Sequence, residues 1–197
     1  MEAADIRDRL AQAGEARSSG AAVMVPLIPS EDGYEVLFEL RAEDIEVQPG
    51  EVCLPGGHIE AGEAPLEAAL RECGEELLVS REQIEVLGDL GGFPLLSGAP
   101  FHAFVGLLEG YAGGFDAAEV ARTFTLPLDY FLQTQPAVYD IASSMEFPED
   151  FPFERIPGGR AYPWRSRPHE VPFYLETEPL VWGLTARVMM RLAQALA

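Results

Sequence analysis

Residues 57–79 read GHIEAGEAPLEAALRECGEELLV, and their spacing decides how the chain is built. Glu72, Glu75 and Glu76 crowd one turn, with Arg71 directly before them. At about 100° per residue, three carboxylates so placed fall within an arc of roughly 100° on a helix. Like charges three or four residues apart destabilise an isolated helix by about 0.2–0.5 kcal/mol per pair, so positive charge is expected between them. Leu66, Leu70, Cys73 and Leu77 follow helical spacing on the opposite side, which predicts a helix that packs on a core and presents its acids outward. Pro65 suits the first helical turn, where a missing amide hydrogen costs nothing. Upstream, Leu54-Pro55-Gly56-Gly57 ends a strand and lets the backbone approach whatever the acids hold. Carboxylates on a rigid element suit Mg²⁺ or Mn²⁺; for glutamates taken alone, a solvated acidic face is the alternative.

The segment resembles the Nudix box, the signature of hydrolases that cut nucleoside diphosphates linked to another group. The family pattern is a Gly, five residues, Glu, seven residues, Arg-Glu, an aliphatic, any residue, Glu-Glu, any residue, Gly, then an aliphatic. Gly57, Glu63, Arg71, Glu72, Glu75, Glu76 and Val79 fall in register; Cys73 takes the first aliphatic position and Leu78 replaces the last glycine. The resemblance implies an α+β fold, an α/β/α sandwich with a central mixed β-sheet flanked by helices. It further implies a single Nudix hydrolase domain over residues 1–197.

A second segment, LFELRAEDIEVQPGEVCLPGG over residues 37–57, is similar to the stretch before the box in coenzyme A pyrophosphatases of that family. The pattern runs Leu-Leu-Thr-x-Arg-Ser/Ala, three residues, Arg, three residues, Gly, three residues, Phe-Pro-Gly-Gly. Arg41, Ala42, Gly50, Pro55, Gly56 and Gly57 match, whereas Glu46 stands where the pattern has its second arginine and Leu54 where it has phenylalanine. The run FYLETEPLVWGLTARV, residues 173–188, also looks like that subfamily. The expected reaction is hydrolysis of coenzyme A to 3′,5′-ADP and 4′-phosphopantetheine. ADP-ribose, NADH or another nucleoside diphosphate derivative is the alternative substrate, and a nucleotide-binding module without turnover is a third reading.

The resemblance implies roles residue by residue. Glu72 and Glu76 are the expected metal ligands, with Glu75 as ligand or base and the Gly56 carbonyl as a further oxygen. Arg71 orients a glutamate through charge-assisted hydrogen bonds, and Glu63 braces the loop or ligates through water. Arg41, Gly57, Arg160 and Arg165 are the substrate-binding candidates. Asp116, Glu119 and Glu146 are further candidates for the base. His58, His102 and His169 stand at no position that the pattern marks.

The 197 residues are 48% hydrophobic, enough for a proper core, and carry a net charge of −20. All 13 basic residues are arginine. Such a surface lacks the clustered cations of a nucleic-acid footprint and repels a polyanionic nucleotide at long range. A divalent cation and a few local arginines are therefore expected to hold the substrate. The longest apolar run, residues 21–29, is too short to span a bilayer, and no secretory signal is visible, so a cytoplasmic setting without membrane contact is expected. Cys53 and Cys73, the two cysteines, read as small core residues of a reducing compartment.

Alternation predicts strands at residues 21–27 and 34–42 around the turn Ser30-Glu31-Asp32-Gly33, then at 52–54, 84–90, 102–108, 120–124, 138–143 and 172–176. Helical patterns fall near Ile6–Leu10, at 128–133 and at 184–196. The stretch 146–170 is rich in Pro, Gly and aromatic residues and carries Arg155, Arg160, Arg165 and Arg167. Three readings of it stand together: Tyr162 or Trp164 stacking on an adenine, aromatics tucked onto the core, or a homodimer interface.

Overall fold

A two-residue turn at Glu31 and Asp32 joins the first two strands. The computed structural model describes residues 20–95, 98–142, 146–164 and 169–197. In it, β1 (Ala21–Ser30) and β2 (Gly33–Arg41) pair antiparallel from Ser30↔Gly33 to Leu27↔Val36. Beyond that register residues 52–58 take over as partners of both strands. β3 (Val52–Cys53) pairs with β2 at Glu39 and Leu40, and β4 (Gly56–His58) pairs with β1 at Ala21–Val23. A hydrogen bond of 2.8 Å from the Met24 amide to the Pro55 carbonyl closes the joint.

β5 (Ile84–Pro94), β6 (Pro100–Leu108) and β7 (Val120–Pro127) complete a seven-stranded mixed sheet in which β6 runs parallel to β1. β7 covers the far edge of β2. Strand side chains alternate between the two faces. On one face Ala22, Met24, Leu37 and Phe104 meet Ala69, Leu70 and Cys73 of helix α1 (Pro65–Glu76) and Leu77 at its C-cap. On the other, Val23, Val25, Val36 and Phe38 pack with Phe131 of α2 (Leu128–Gln133) and with Val188, Met189 and Leu192 of α3 (Gly183–Leu196). Helices thus sandwich the sheet, and the expected α+β, α/β/α arrangement is observed.

One sequence expectation needs correction. Residues 56–58, read as part of a glycine loop, form strand β4, because Gly56 and Gly57 lie in register with Val23 and Ala22. The late strands, which the sequence assigned to no sheet, form a separate antiparallel one against α3: β8 (Ala137–Ile141), β9 (His169–Tyr174) and β10 (Val181–Trp182). β10 was not anticipated, since two residues carry no alternation to read. The helix expected near Ile6–Leu10 lies outside the described residues. Among the described residues no helix is long and apolar enough to cross a membrane.

Helix α1 ends in a left-handed turn made by a residue poorly suited to it. The Val79 amide bonds the Gly74 carbonyl at 3.1 Å, and Leu78 at the turn has φ +52°. That is the Schellman arrangement, in which the left-handed position favours glycine. Leu78 is 64% exposed, so little packing offsets the backbone strain. Replacing Leu78 by Gly is expected to raise stability by about 0.5–1 kcal/mol in urea denaturation, because a Cβ in this conformation costs roughly 1–2 kcal/mol and glycine's extra chain entropy returns part of it. A destabilised variant would contradict the assignment of strain.

Candidate active site

Arg71 organises the acidic turn. Its Nε and Nη2 donate to the two oxygens of Glu63 at 3.0 and 3.1 Å, and Nη1 donates to Glu72 at 2.9 Å and Glu75 at 3.2 Å. Nη2 also bonds the His58 carbonyl at 3.1 Å, so all five guanidinium N–H groups are engaged. Arg71 thus supplies positive charge between Glu72 and Glu75, while Glu76 is outside its reach. Its bonds hold the Glu63 carboxyl below the usual range, helped by the Glu60 amide. In return Glu63, with Glu72, makes the guanidinium still harder to deprotonate. Arg71 and Glu63 are thus brought together, and the same guanidinium reaches Glu72, Glu75 and the His58 carbonyl.

Glu76 behaves differently from its neighbours. Only 3% of it is exposed, whereas the Glu75 side chain is 63% exposed. The expectation that α1 presents all its acids outward is thus corrected: helix rotation and the close approach of β4 put Glu76 under the chain, where Oε2 accepts the Gly56 amide at 2.7 Å. Burial raises its pKa to about 7, with Glu72 adding to the effect and the Gly56 bond opposing it.

The glycines are required by sterics. A Cβ on Gly57 would sit 2.5 Å from the Glu72 carboxylate. One on Gly56, whose φ is +154°, would overlap the Ala22 carbonyl. Gly57 thus leaves the space that Glu72 fills, and Gly56 lets β4 lie against β1.

A fourth carboxylate, missed in the sequence reading, belongs to the same region. Glu39 on β2 is 0% exposed, and Oε2 accepts a weak 3.7 Å bond from the Cys53 thiol. Burial drives its pKa well up, and Glu76 and Glu119 push the same way while Arg41 and the thiol oppose them. The available signal was an acid inside the apolar run VLFEL, at the position where the coenzyme A-type pattern has threonine. Burial, with Glu39 and Glu76 nearby, also pushes up both thiols, and Cys53 and Cys73 are free.

The remaining candidates are scattered. Arg41 donates from Nε to the Val47 carbonyl at 3.0 Å, and its charge reaches Glu39 and Glu76. Glu119 also acts on both carboxylates, and the Asp116 amide bonds the Glu76 carbonyl at 2.8 Å. Exposed Glu146 lies in the aromatic-rich stretch instead. Arg160 stacks at 4.5 Å over Phe153, a partner in its own segment, and Arg165 lies outside the described residues. Tyr162 and Trp164 meet in a tilted pair with ring centroids 4.8 Å apart, and Trp164 joins Phe147 and Phe151, so this segment's aromatics cluster among themselves.

No group of three or more His, Cys, Asp or Glu side chains is arranged to hold a metal ion among the described residues. Glu72 and Glu75 are turned to Arg71, and Glu76 to Gly56. The donor chemistry still suits a hard divalent cation: several carboxylates, one of them with an orphaned buried oxygen, Glu39 Oε1.

A family model described as the NUDIX domain matches residues 19–124. The chain is 30% identical to the Nudix hydrolase NudL of Photorhabdus laumondii over 176 residues, 88% of this chain and 83% of that protein. It is 34% identical over 120 residues to the peroxisomal coenzyme A diphosphatase NUDT7 of Mus musculus. That alignment covers 60% of this chain, which spans about half, 51%, of the mouse protein's length. Among solved structures, a Caenorhabditis elegans Ap4A hydrolase binary complex aligns with a TM-score of 0.48 and 20% identity, covering 55% of this chain and 80% of that one.

Glu76 gives the protein a pH-dependent stability when chelator removes divalent cations. Folded, it keeps its proton up to about 7; unfolded, it loses it near the ordinary 4.5. Proton binding therefore favours the folded chain, fully below the ordinary value and progressively less as pH rises through about 7. In thermal melts with EDTA, wild type is expected to lose stability relative to Glu76→Gln across that window. A pH-independent difference between the two would contradict the burial-raised pKa.

Proposed function

The chain belongs to the Nudix hydrolase family, and from that premise we propose that it hydrolyses the pyrophosphate bond of coenzyme A or its derivatives, releasing 3′,5′-ADP and 4′-phosphopantetheine. Nudix hydrolases act on small-molecule substrates and are generally dependent on a divalent metal. The observation that carries the reading is the Arg71 node, which holds Glu63, Glu72 and Glu75 beside the Gly56–Gly57 strand with Glu76 beneath. The substrate class rests on the resemblance of residues 37–57 and on the mouse relative named as a coenzyme A diphosphatase. The proposal takes residues 1–197 as one domain acting in the cytoplasm, a setting that two free thiols favour.

Mg²⁺ or Mn²⁺ held by Glu72 and Glu76, with Glu75 and the Gly56 carbonyl as further oxygens, would withdraw charge from the pyrophosphate and acidify a bound water. Arg71 keeps Glu72 and Glu75 from splaying apart under their mutual repulsion. Arg41 places positive charge near the buried carboxylates, suited to a substrate phosphate in a chain that otherwise repels one. Glu75, being exposed, or Glu119 takes the proton of the attacking water. Water attacks one phosphorus in line and the other phosphate leaves. Arg160 and Arg165 complete the set of proposed phosphate contacts.

Glu46 favours a second reading. It is exposed where the coenzyme A-type pattern has an arginine, removing one phosphate contact. ADP-ribose, NADH or a dinucleotide would then be the better substrate.

Two measurements test the proposal. In a panel of coenzyme A, ADP-ribose, NADH and diadenosine polyphosphates with Mg²⁺ or Mn²⁺, coenzyme A is expected to turn over more than about tenfold faster than the rest, a margin that one pocket contact is worth. A different leading substrate selects the second reading, and no turnover of any would sink the enzymatic one. Glu76→Gln is expected to lower kcat by at least about 100-fold, the upper cost of losing an outer-sphere partner of a metal ligand, with an unchanged circular dichroism spectrum. Near-normal activity would remove Glu76 from the ligand set.

A further inference from the structure

Glu39 is a charged side chain placed where the sheet should be apolar. Its neighbours on β2, Val36, Leu37 and Phe38, are all core residues. Strand alternation sends Glu39 to the same face as Leu37, the face that α1 covers. Its cross-strand partners are Cys53 on β3 and Thr123 on β7. Neither supplies a strong bond: the thiol makes a 3.7 Å contact with Oε2, and Thr123, whose hydroxyl accepts from Tyr111 at 3.2 Å, makes no bond to Oε1. Arg41 shares the face, yet its Nε is committed to the Val47 carbonyl. Oε1 is left without any donor among the described residues. Buried carboxylates are as a rule paired or bound to a cation, and an orphaned one calls for an explanation.

The geometry points to Glu39 as an additional carboxylate donor of the cation centre, supplied by the sheet from below while Glu72 and Glu76 come from the box helix. The inference rests on the proposed cation centre and extends it. Residues 53–56 run from Glu39's strand partner to the Gly56 amide that Glu76 holds, so one short segment links the two carboxylates. The box pattern does not include this position, and the coenzyme A-type pattern has threonine there.

The test reads cation binding without turnover. Mn²⁺ affinity is measured by calorimetry and by the paramagnetic resonance signal of free Mn²⁺, for wild type, Glu39→Gln and Glu39→Asp. Glu39→Gln keeps the shape and removes the anionic donor; its Mn²⁺ affinity is expected to fall at least about tenfold, as for loss of a group supporting a metal site. Its melting temperature without metal should not fall, because Glu39→Gln removes no side-chain bond stronger than the 3.7 Å contact with the Cys53 thiol. Should Glu39→Gln not fold, Glu39→Asp carries the test, since it keeps the charge and withdraws the oxygen by one methylene; weaker Mn²⁺ binding is again expected. Unchanged affinity in a folded variant, with wild type binding Mn²⁺, would overturn the role of Glu39 and leave the centre standing. A wild type that takes up no Mn²⁺ would overturn the centre itself, and the Glu39 inference with it.

Discussion

One guanidinium keeps three glutamates and a loop in place. In a chain of net charge −20, a turn carrying Glu72, Glu75 and Glu76 would spread or fray if left alone. Arg71 prevents this by using every N–H it has, two of them in a bidentate grip on Glu63. A lysine, with three rotatable donors at one point, has no such fork. Because the fifth bond goes to the His58 carbonyl, the same residue fastens the strand β4 to the helix α1. Gly57 then lies beneath Glu72, and Gly56 comes within reach of Glu76.

The sheet supplies the second half of the arrangement. β1 and β2 pair only near their turn, and the short segment 52–58 serves as partner to both further along. That joint sets a backbone amide, Gly56, under the helix, and leaves Glu39 facing the same region from β2. Two carboxylates are thus held where water hardly reaches; burial raises the proton affinity of both, and Glu76 adds to the effect on Glu39. Such placement is destabilising for a bare fold, as is the left-handed Leu78 at the helix end. The two buried carboxylates lie close to one helix while both apolar layers remain ordinary.

Much of this was legible in residue order. The hairpin around Glu31 and Asp32, the helix from Pro65 and the helix at 128–133 follow from turn chemistry and apolar spacing, and the structure has them within a residue or two. Leu78 is instructive, because the left-handed turn persists without the glycine that the box pattern has there; the backbone bond from Val79 to Gly74 imposes it. Short pieces were not legible. β4 and β10 have too few residues to show a period, and the separate sheet of β8, β9 and β10 depends on how late strands meet α3 rather than on their own pattern.

By itself the sequence determined the acidic helix, the arginine beside it and the strand faces, because these arise from spacing along a few turns of chain. Only the tertiary structure decided which carboxylates lose contact with water. Glu76 was counted with the solvent-facing acids, yet β4 rises against it; Glu39 was missed in its apolar strand, and the register with Cys53 sets it in the same buried region. Helical and strand periods report which way a side chain points. They do not report what the rest of the chain lays over it, since that depends on pairing between segments far apart in sequence.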